Sequence, residues 1–354
     1  MESRGGTCCI TCGALVTWFE TLFGFREGPY DWTQQQFHFE PGTLTSRVNG
    51  RRFPVGTFST PSVATLRERV VGLSPGTLTL RHQAVDDIFA AHAQPASAGA
   101  VFQAASQLNC LEFAAPDVVP EDGVTQYASD PTQGPACALA AAAGTVLRNY
   151  FAPVGGIEGQ TADRQLNNLA GVQAALGPAG ALVEVRNGYT FSNDLALDRL
   201  NAALAERDRD ALVAAVRVGV QASVGVTFSQ RYIPLSEPQT VSQIYASALS
   251  CGYSAGSLNR WAPLATIALE GAYEATLLAA AALKASGEGS GVVWLTLLGG
   301  GVFGNRDAWI ADAIGRAIAK AQHHDLDVRV AHYRRVDARR AALIDAAAER
   351  SMAG

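Results

Sequence analysis

The stretch from 265 to 333 most constrains the fold, because helical and strand periods alternate along it without a break. ATIALEGAYEATLLAAAALKA (265–285) repeats apolar residues at helical spacing. VVWLTLL (292–298) has no polar alternation, the pattern of a strand buried on both faces. WIADAIGRAIAKAQHH (309–324) returns to the helical period and LDVRVAHY (326–333) to the strand period. A helix between successive strands implies a layered α/β fold with a mixed or mostly parallel sheet. Ligands bind such sheets beyond the carboxyl ends of their strands.

The same texture begins near residue 77. TLTLRH (77–82) and GAVFQAAS (99–106) read as strands, and TVSQIYASAL (240–249) as a central strand leading into a loop. QGPACALAAAAGTVL (133–147) reads as a helix with proline near its start and small residues that allow close approach to a sheet. ALVEVRNGYTF (181–191) reads as a hairpin turning at Asn187-Gly188, with helices following over about 195–206 and 208–218. Before 77, residues 61–72 suggest a short helix with Leu66 and Val70 turned inward. Residues 1–60 crowd Trp18, Phe19, Phe23, Phe25, Tyr30, Trp32, Phe37 and Phe39, too much apolar surface to leave exposed. The expected organisation is therefore an N-terminal extension, 1–72, packed on an α/β domain with insertions, 73–354.

Composition narrows the function classes. Of 354 residues 48% are hydrophobic and 17% charged, which suits a compact globule with a large core. A net charge of −5 without a long basic patch gives no electrostatic reason to expect a nucleic-acid partner. Six cysteines are too few for a disulfide framework, and Cys8, Cys9 and Cys12 lack further ligands at zinc spacing. Neither metal nor cofactor is expected. No uncharged apolar run stands in a spanning context, and the opening residues lack the basic start and apolar core of an export signal. The expectation is a cytoplasmic protein without a membrane partner.

Three stretches carry candidate chemistry. LLGGGVFGN (297–305) places Gly299, Gly300 and Gly301 at the end of a buried strand, where bared amides can face an anion; a purely structural tight turn is the alternative. It is neither a P-loop, since Gly-Lys-Ser/Thr is absent, nor a dinucleotide fingerprint, whose glycines are spaced. FQAASQLNCLEF (102–113) places Gln103, Ser106, Gln107 and Asn109 at a strand end, followed by the carboxylate Glu112. Neutral amides and hydroxyls suit sugar hydroxyls; they also suit loop backbone. PEDGVTQYASDPTQGPACA (120–138) is a polar loop carrying Asp130, Gln133 and Gly134 into a helix start.

Together these stretches resemble the macrodomain family, ADP-ribose-binding proteins with a three-layer α/β/α fold around a mixed sheet. The resemblance implies that Gly299, Gly300, Gly301 and Val302 offer amides to the diphosphate. It further implies that Phe303, followed by Gly304 and Asn305, lies near the distal ribose. VFQAAS (101–106) stands where the family carries Val-Asn-Ala-Ala-Asn, which puts Gln103 and Ser106 in the places of the two asparagines. Asp87-Ile88 is the local candidate for the adenine contact, with Asp86 its rival. Neither asparagine of the ribose strand is kept, and the paired glutamates of the poly(ADP-ribose) glycohydrolase signature are absent. The implied ligand is ADP-ribose or an ADP-ribosylated protein. The implied activity is hydrolysis, with Asp130 and Glu112 as catalytic candidates, Asn109, Gln133 and Gly134 as ligand contacts, and non-catalytic binding as the alternative. Catalysis needs a carboxylate or activated water at the anomeric carbon; binding alone does not.

Overall fold

The computed structural model describes residues 16–353, so Cys8, Cys9 and Cys12 lie outside the described residues. One large sheet contains, in chain order, β1 (Phe37–Glu40), β2 (Gly42–Ser46), β3 (Arg52–Ser59), β4 (Thr79–Val85), β5 (Val101–Ala105), β6 (Gly219–Gly225), β7 (Thr240–Ala246), β8 (Val292–Leu295) and β9 (Asp327–Tyr333). The order across it is β1-β2-β3-β6-β7-β5-β8-β9-β4. From β7 to β4 the pairs are parallel, and from β1 to β7 they are antiparallel.

Burial follows from the residue pattern. In β8, Val293, Trp294 and Leu295 are all buried, as an apolar run without alternation requires. Val293 and Leu295 join a core cluster with the helices Val63–Val70, Leu258–Ala285, Asp307–Ala321 and Ala338–Ala353. Trp294 points to the opposite face, where Phe102 stacks on it at 6.0 Å. That face is covered by the helices Gln133–Ala140 and Ala142–Tyr150, which pack against the aromatic N-terminal residues. A mixed sheet between two helical layers is the three-layer macrodomain-like arrangement expected.

Two local features go beyond the sequence reading. Residues 37–59 lengthen the sheet by three strands, and the rings of Phe23, Phe37 and Phe53 make edge contacts of about 5 Å behind them. The helix expected over 133–147 is two helices, broken at Ala141 (φ −120°, ψ 57°). The hairpin turns where its Asn-Gly pair implies, with Asn187 at φ +48° and Gly188 at φ +76°. The helix Leu258–Ala285 is long and apolar enough to cross a bilayer, and 89% of its most apolar window is buried inside the fold.

Because β4, β5, β8 and β9 are parallel, their carboxyl ends open on one edge of the sheet. All three candidate stretches reach that edge.

Candidate functional site

Two cavities adjoin at this edge. One, of about 310 Å³, is lined from β5 by Ser106, Gln107 and Glu112, from β8 by Gly299, Gly300, Gly301, Val302 and Phe303, and from the polar loop by Asp130, Gln133 and Gly134. The second, of about 600 Å³, lies over β4 and β9 and is lined by Asp86, Asp87, Ile88 and Arg231 among others. Thr132, Gln133 and Thr296 belong to both walls, so the two form one cleft.

The three glycines are not equivalent. Gly299 sits at φ +69°, and a Cβ there would come within 2.4 Å of Ala248 Cβ and 2.5 Å of Asn305 Nδ2, so the turn itself requires glycine. Among the described residues, a Cβ on Gly301 would meet nothing, and one on Gly300 would meet Ile310 at 3.3 Å and Leu297 O at 3.4 Å. Folding therefore gives no reason for glycine at 301, whereas close approach of a ligand to the backbone does. The Gly300 N–H is turned inward onto the Leu297 carbonyl at 3.2 Å. Among the described residues, the N–H groups of Gly301, Val302 and Phe303 have no protein acceptor, so the bared amides start one residue later than the sequence implies. Gly304 and Asn305 do not line the cleft. Asn305 staples the turn instead, donating from Nδ2 to Leu249 O at 2.8 Å.

The helix Gln133–Ala140 begins directly on the end of β5. The Gln133 amide bridges the two, with Oε1 accepting from Ala105 N–H and Nε2 donating to Gln103 O, each at 2.8 Å. A Cβ on Gly134 would stand 2.0 Å from Ala105 O, so only glycine lets the helix start this close. Just before it, Asp130 lines the cleft while its Oδ1 accepts from Thr132 N–H at 2.8 Å.

Glu112 is the buried member of the set. Its residue is 2% exposed, and its loop is pinned by Gln107, whose amide donates to Phe113 O and accepts from Phe113 N–H, each at 3.0 Å. Arg148, fully buried, donates Nε to Cys110 O at 3.0 Å and lies 3.5 Å over the Tyr245 ring. Its Nη2 is 3.5 Å from Glu112 Oε2, a long contact for a charged pair. Burial outweighs that guanidinium, and the Glu112 carboxyl is pushed up to about 8. Among the described residues, Glu112 Oε1 has no hydrogen-bond partner.

Several residues stand elsewhere than the sequence implies. Gln103 points away from the cleft into the opposite layer. There its Nε2 donates to Thr276 Oγ1 at 2.8 Å and its Oε1 accepts from Thr296 N–H at 3.2 Å. Asn109 folds into its own loop, accepting from Leu111 N–H and donating to Gln165. Asp87 lines the second cavity while capping the short helix Ile88–Ala91 through Phe89 N–H at 3.0 Å. Tyr189 and Tyr253 are site residues that the sequence motifs do not single out. Tyr189 lies 5.6 Å from the Phe303 ring and 5.1 Å from that of Tyr253, and all three line the first cavity. Tyr189 is tied down by its hydroxyl donating to Phe113 O at 2.7 Å, and its place after the Asn-Gly turn was the only available signal.

Neither a protein-family profile nor a curated protein sequence matches the chain. Among solved structures it is similar to poly(ADP-ribose) glycohydrolase from Thermomonospora curvata bound to the inhibitor ADP-HPD. That match has 16% identity and a TM-score of 0.39, over 86% of this chain and 93% of that one. It is also similar to poly(ADP-ribose) glycohydrolase from Deinococcus radiodurans in complex with ADP-ribose. Here the identity is 12% and the TM-score 0.45, over 83% of this chain and 94% of that one. At these values the likeness carries no argument about activity.

Proposed function

We propose that the cleft binds ADP-ribose and that the protein hydrolyses the bond joining the distal ribose to an attached group. One observation carries the reading. A buried carboxyl with an unpartnered oxygen, Glu112, shares a cavity wall with the bared amides after Gly300. The amides of Gly301 and Val302 suit a diphosphate, because successive N–H groups answer charge spread over several oxygens. The adenine then lies toward Asp87 and Ile88, and the distal ribose toward Phe303, Ser106, Glu112 and Asp130.

In this pose Glu112 passes its proton to the atom leaving the anomeric carbon, and the bond between them breaks. A water oriented by Asp130 adds its oxygen to that carbon and gives its proton to Asp130. Solvent then returns a proton to Glu112 and removes one from Asp130. A carboxyl pushed up to about 8 is suited to the acid role at neutral pH.

The test is calorimetric titration with ADP-ribose, followed by timed release of ADP-ribose from modified Arg, Ser and Glu peptides. Gly301→Glu, at a position with room for a side chain, is expected to abolish binding. Glu112→Gln is expected to bind while losing on the order of 100-fold or more in release rate. Absence of binding by the unaltered protein overturns the reading, and binding without release restricts it to recognition.

A further inference from the structure

The cleft does not end at the second cavity. Thr296, His332 and Tyr333 also line a third, of about 290 Å³, whose other wall carries Arg335, Asp337 and Arg340. Charge is distributed unevenly along this path. The cavity holding Glu112 and Asp130 has no cationic side chain on its wall, and the second has Arg231 beside Asp86 and Asp87. The third has two guanidinium groups against one carboxylate.

The existing partners do not neutralise them. Among the described residues, the Arg335 side chain makes no hydrogen bond or ion pair. Asp337 Oδ1 already accepts the N–H groups of Arg339 and Arg340 at 3.0 and 3.1 Å, capping the helix that follows. Arg340 Nε donates to Asp307 at 3.1 Å, but Arg339 occupies the same carboxylate, so one anion serves two cations. Arg334, held at φ +61°, lies 4.9 Å over the ring of Tyr333, which is 71% exposed at the cavity mouth. Excess positive charge, directed donors and an aromatic face meet at the end of a cleft that already suits a nucleotide.

We propose that the cleft takes a ligand carrying a further phosphate group beyond the diphosphate, attached through the ribose at its nucleoside end, and that Arg335 and Arg340 hold it. The inference rests on the ADP-ribose reading, in which the adenine end lies in the second cavity, whose wall also carries Thr296 and Tyr333. Two sources would bring phosphate oxygens toward these guanidinium groups: a phosphate monoester, which sets a dianion directly on a hydroxyl of that ribose, and the next unit of an ADP-ribose chain, which is joined there by a neutral glycosidic bond and carries its diphosphate one ribose farther out.

Calorimetric titrations with ADP-ribose, ADP-ribose 2′-phosphate and a purified ADP-ribose dimer separate these sources. The wild-type protein is expected to bind at least one of the two longer ligands about 10-fold or more tighter than ADP-ribose at low salt. Gain for the monophosphate alone identifies the monoester, and gain for the dimer alone identifies the chain. Arg335→Ala, which removes no internal bond, is expected to bring the preference to within about 2-fold while leaving ADP-ribose affinity unchanged. Equal affinity for all three ligands overturns the inference but leaves ADP-ribose binding standing. Failure of all three to bind overturns both. A preference that survives in Arg335→Ala and in Arg340→Ala overturns the assignment to these arginines.

Discussion

Replacing Glu112 by glutamine tests the buried carboxyl without any assay of activity. In the folded chain this group is pushed from 4.5 up to about 8, chiefly by burial, with Arg148 opposing. Between those values the native state holds a proton that the unfolded chain has released. The wild type is therefore stabilised by this group below about pH 4.5 and loses that stability as pH rises toward 8. The limiting slope is about 1.4 kcal/mol per pH unit, which amounts to roughly 4 kcal/mol between pH 5 and pH 8 as an upper bound. Glutamine keeps the shape and cannot titrate, while every other group is common to both proteins. Urea unfolding at pH 5, 6.5 and 8 is thus expected to show Glu112→Gln gaining on the wild type as pH rises, by one to a few kcal/mol in all. A difference that stays flat across this range would mean that Glu112 is ionised and paired with Arg148. Its role as proton donor would fall with that result.

Gly299→Ala is expected to lower stability by more than about 1 kcal/mol, since it forces a side chain into a left-handed residue already crowded by Ala248. Gly301→Ala is expected to leave the melting temperature nearly unchanged, and thermal melts of the two variants compare them. His332 forms the middle of a directed chain: Asp337 N–H donates to its Nδ1 at 3.3 Å, so its Nε2–H donates to His82 Nδ1 at 2.9 Å, and His82 Nε2–H to Asp345 at 3.1 Å. Burial first, and His82 second, lower the His332 pKa below 6.5, so the stability it contributes is lost as pH falls below that value. NMR titration of the His332 imidazole is expected to give a midpoint below 6.5; a midpoint above it refutes the hydrogen-bond direction deduced here.

The parts of the fold legible in sequence are those whose signals are local. The strand 292–295 is apolar at every position and the glycine turn begins four residues after it, at Gly299, so its burial and its turn follow from neighbouring residues. β6 was missed because Gly219 and Gly225 bound it and Ser223, at φ +54°, interrupts its pairing, which blurs any period of two. In the N-terminal segment, aromatic residues fill both helix and strand positions, so bulk rather than periodicity is readable, and three strands read only as a packed extension. Glu270 and Glu274, four apart on the long helix, form ion pairs with residues distant in sequence, Glu274 with Arg67 and Lys320 and Glu270 with Arg209 and Arg316, and no local pattern signals that partnering.

The site divides along the same line. Gly134, Gln133 and Gly301 could be proposed from sequence because a helix start or a glycine turn has a local signature. Gln103 could not be placed, since the side of the sheet it faces is fixed by Thr276 and Thr296, more than 170 residues away in sequence. Glu112 shows why residue type alone does not assign chemistry. Its sequence neighbours mark only a polar strand end, and Arg148 reads equally well as a structural ion pair. What changes its meaning is burial on every side combined with a 3.5 Å gap to that arginine. Had the guanidinium formed a close bidentate pair, attraction would have held the carboxyl ionised and left it unable to donate a proton. Arg148 is kept from that geometry by three other attachments, to Cys110 O, to Thr145 Oγ1 and to the Tyr245 ring. The residues that restrain Arg148 therefore set the proton affinity of Glu112 as much as Arg148 itself does.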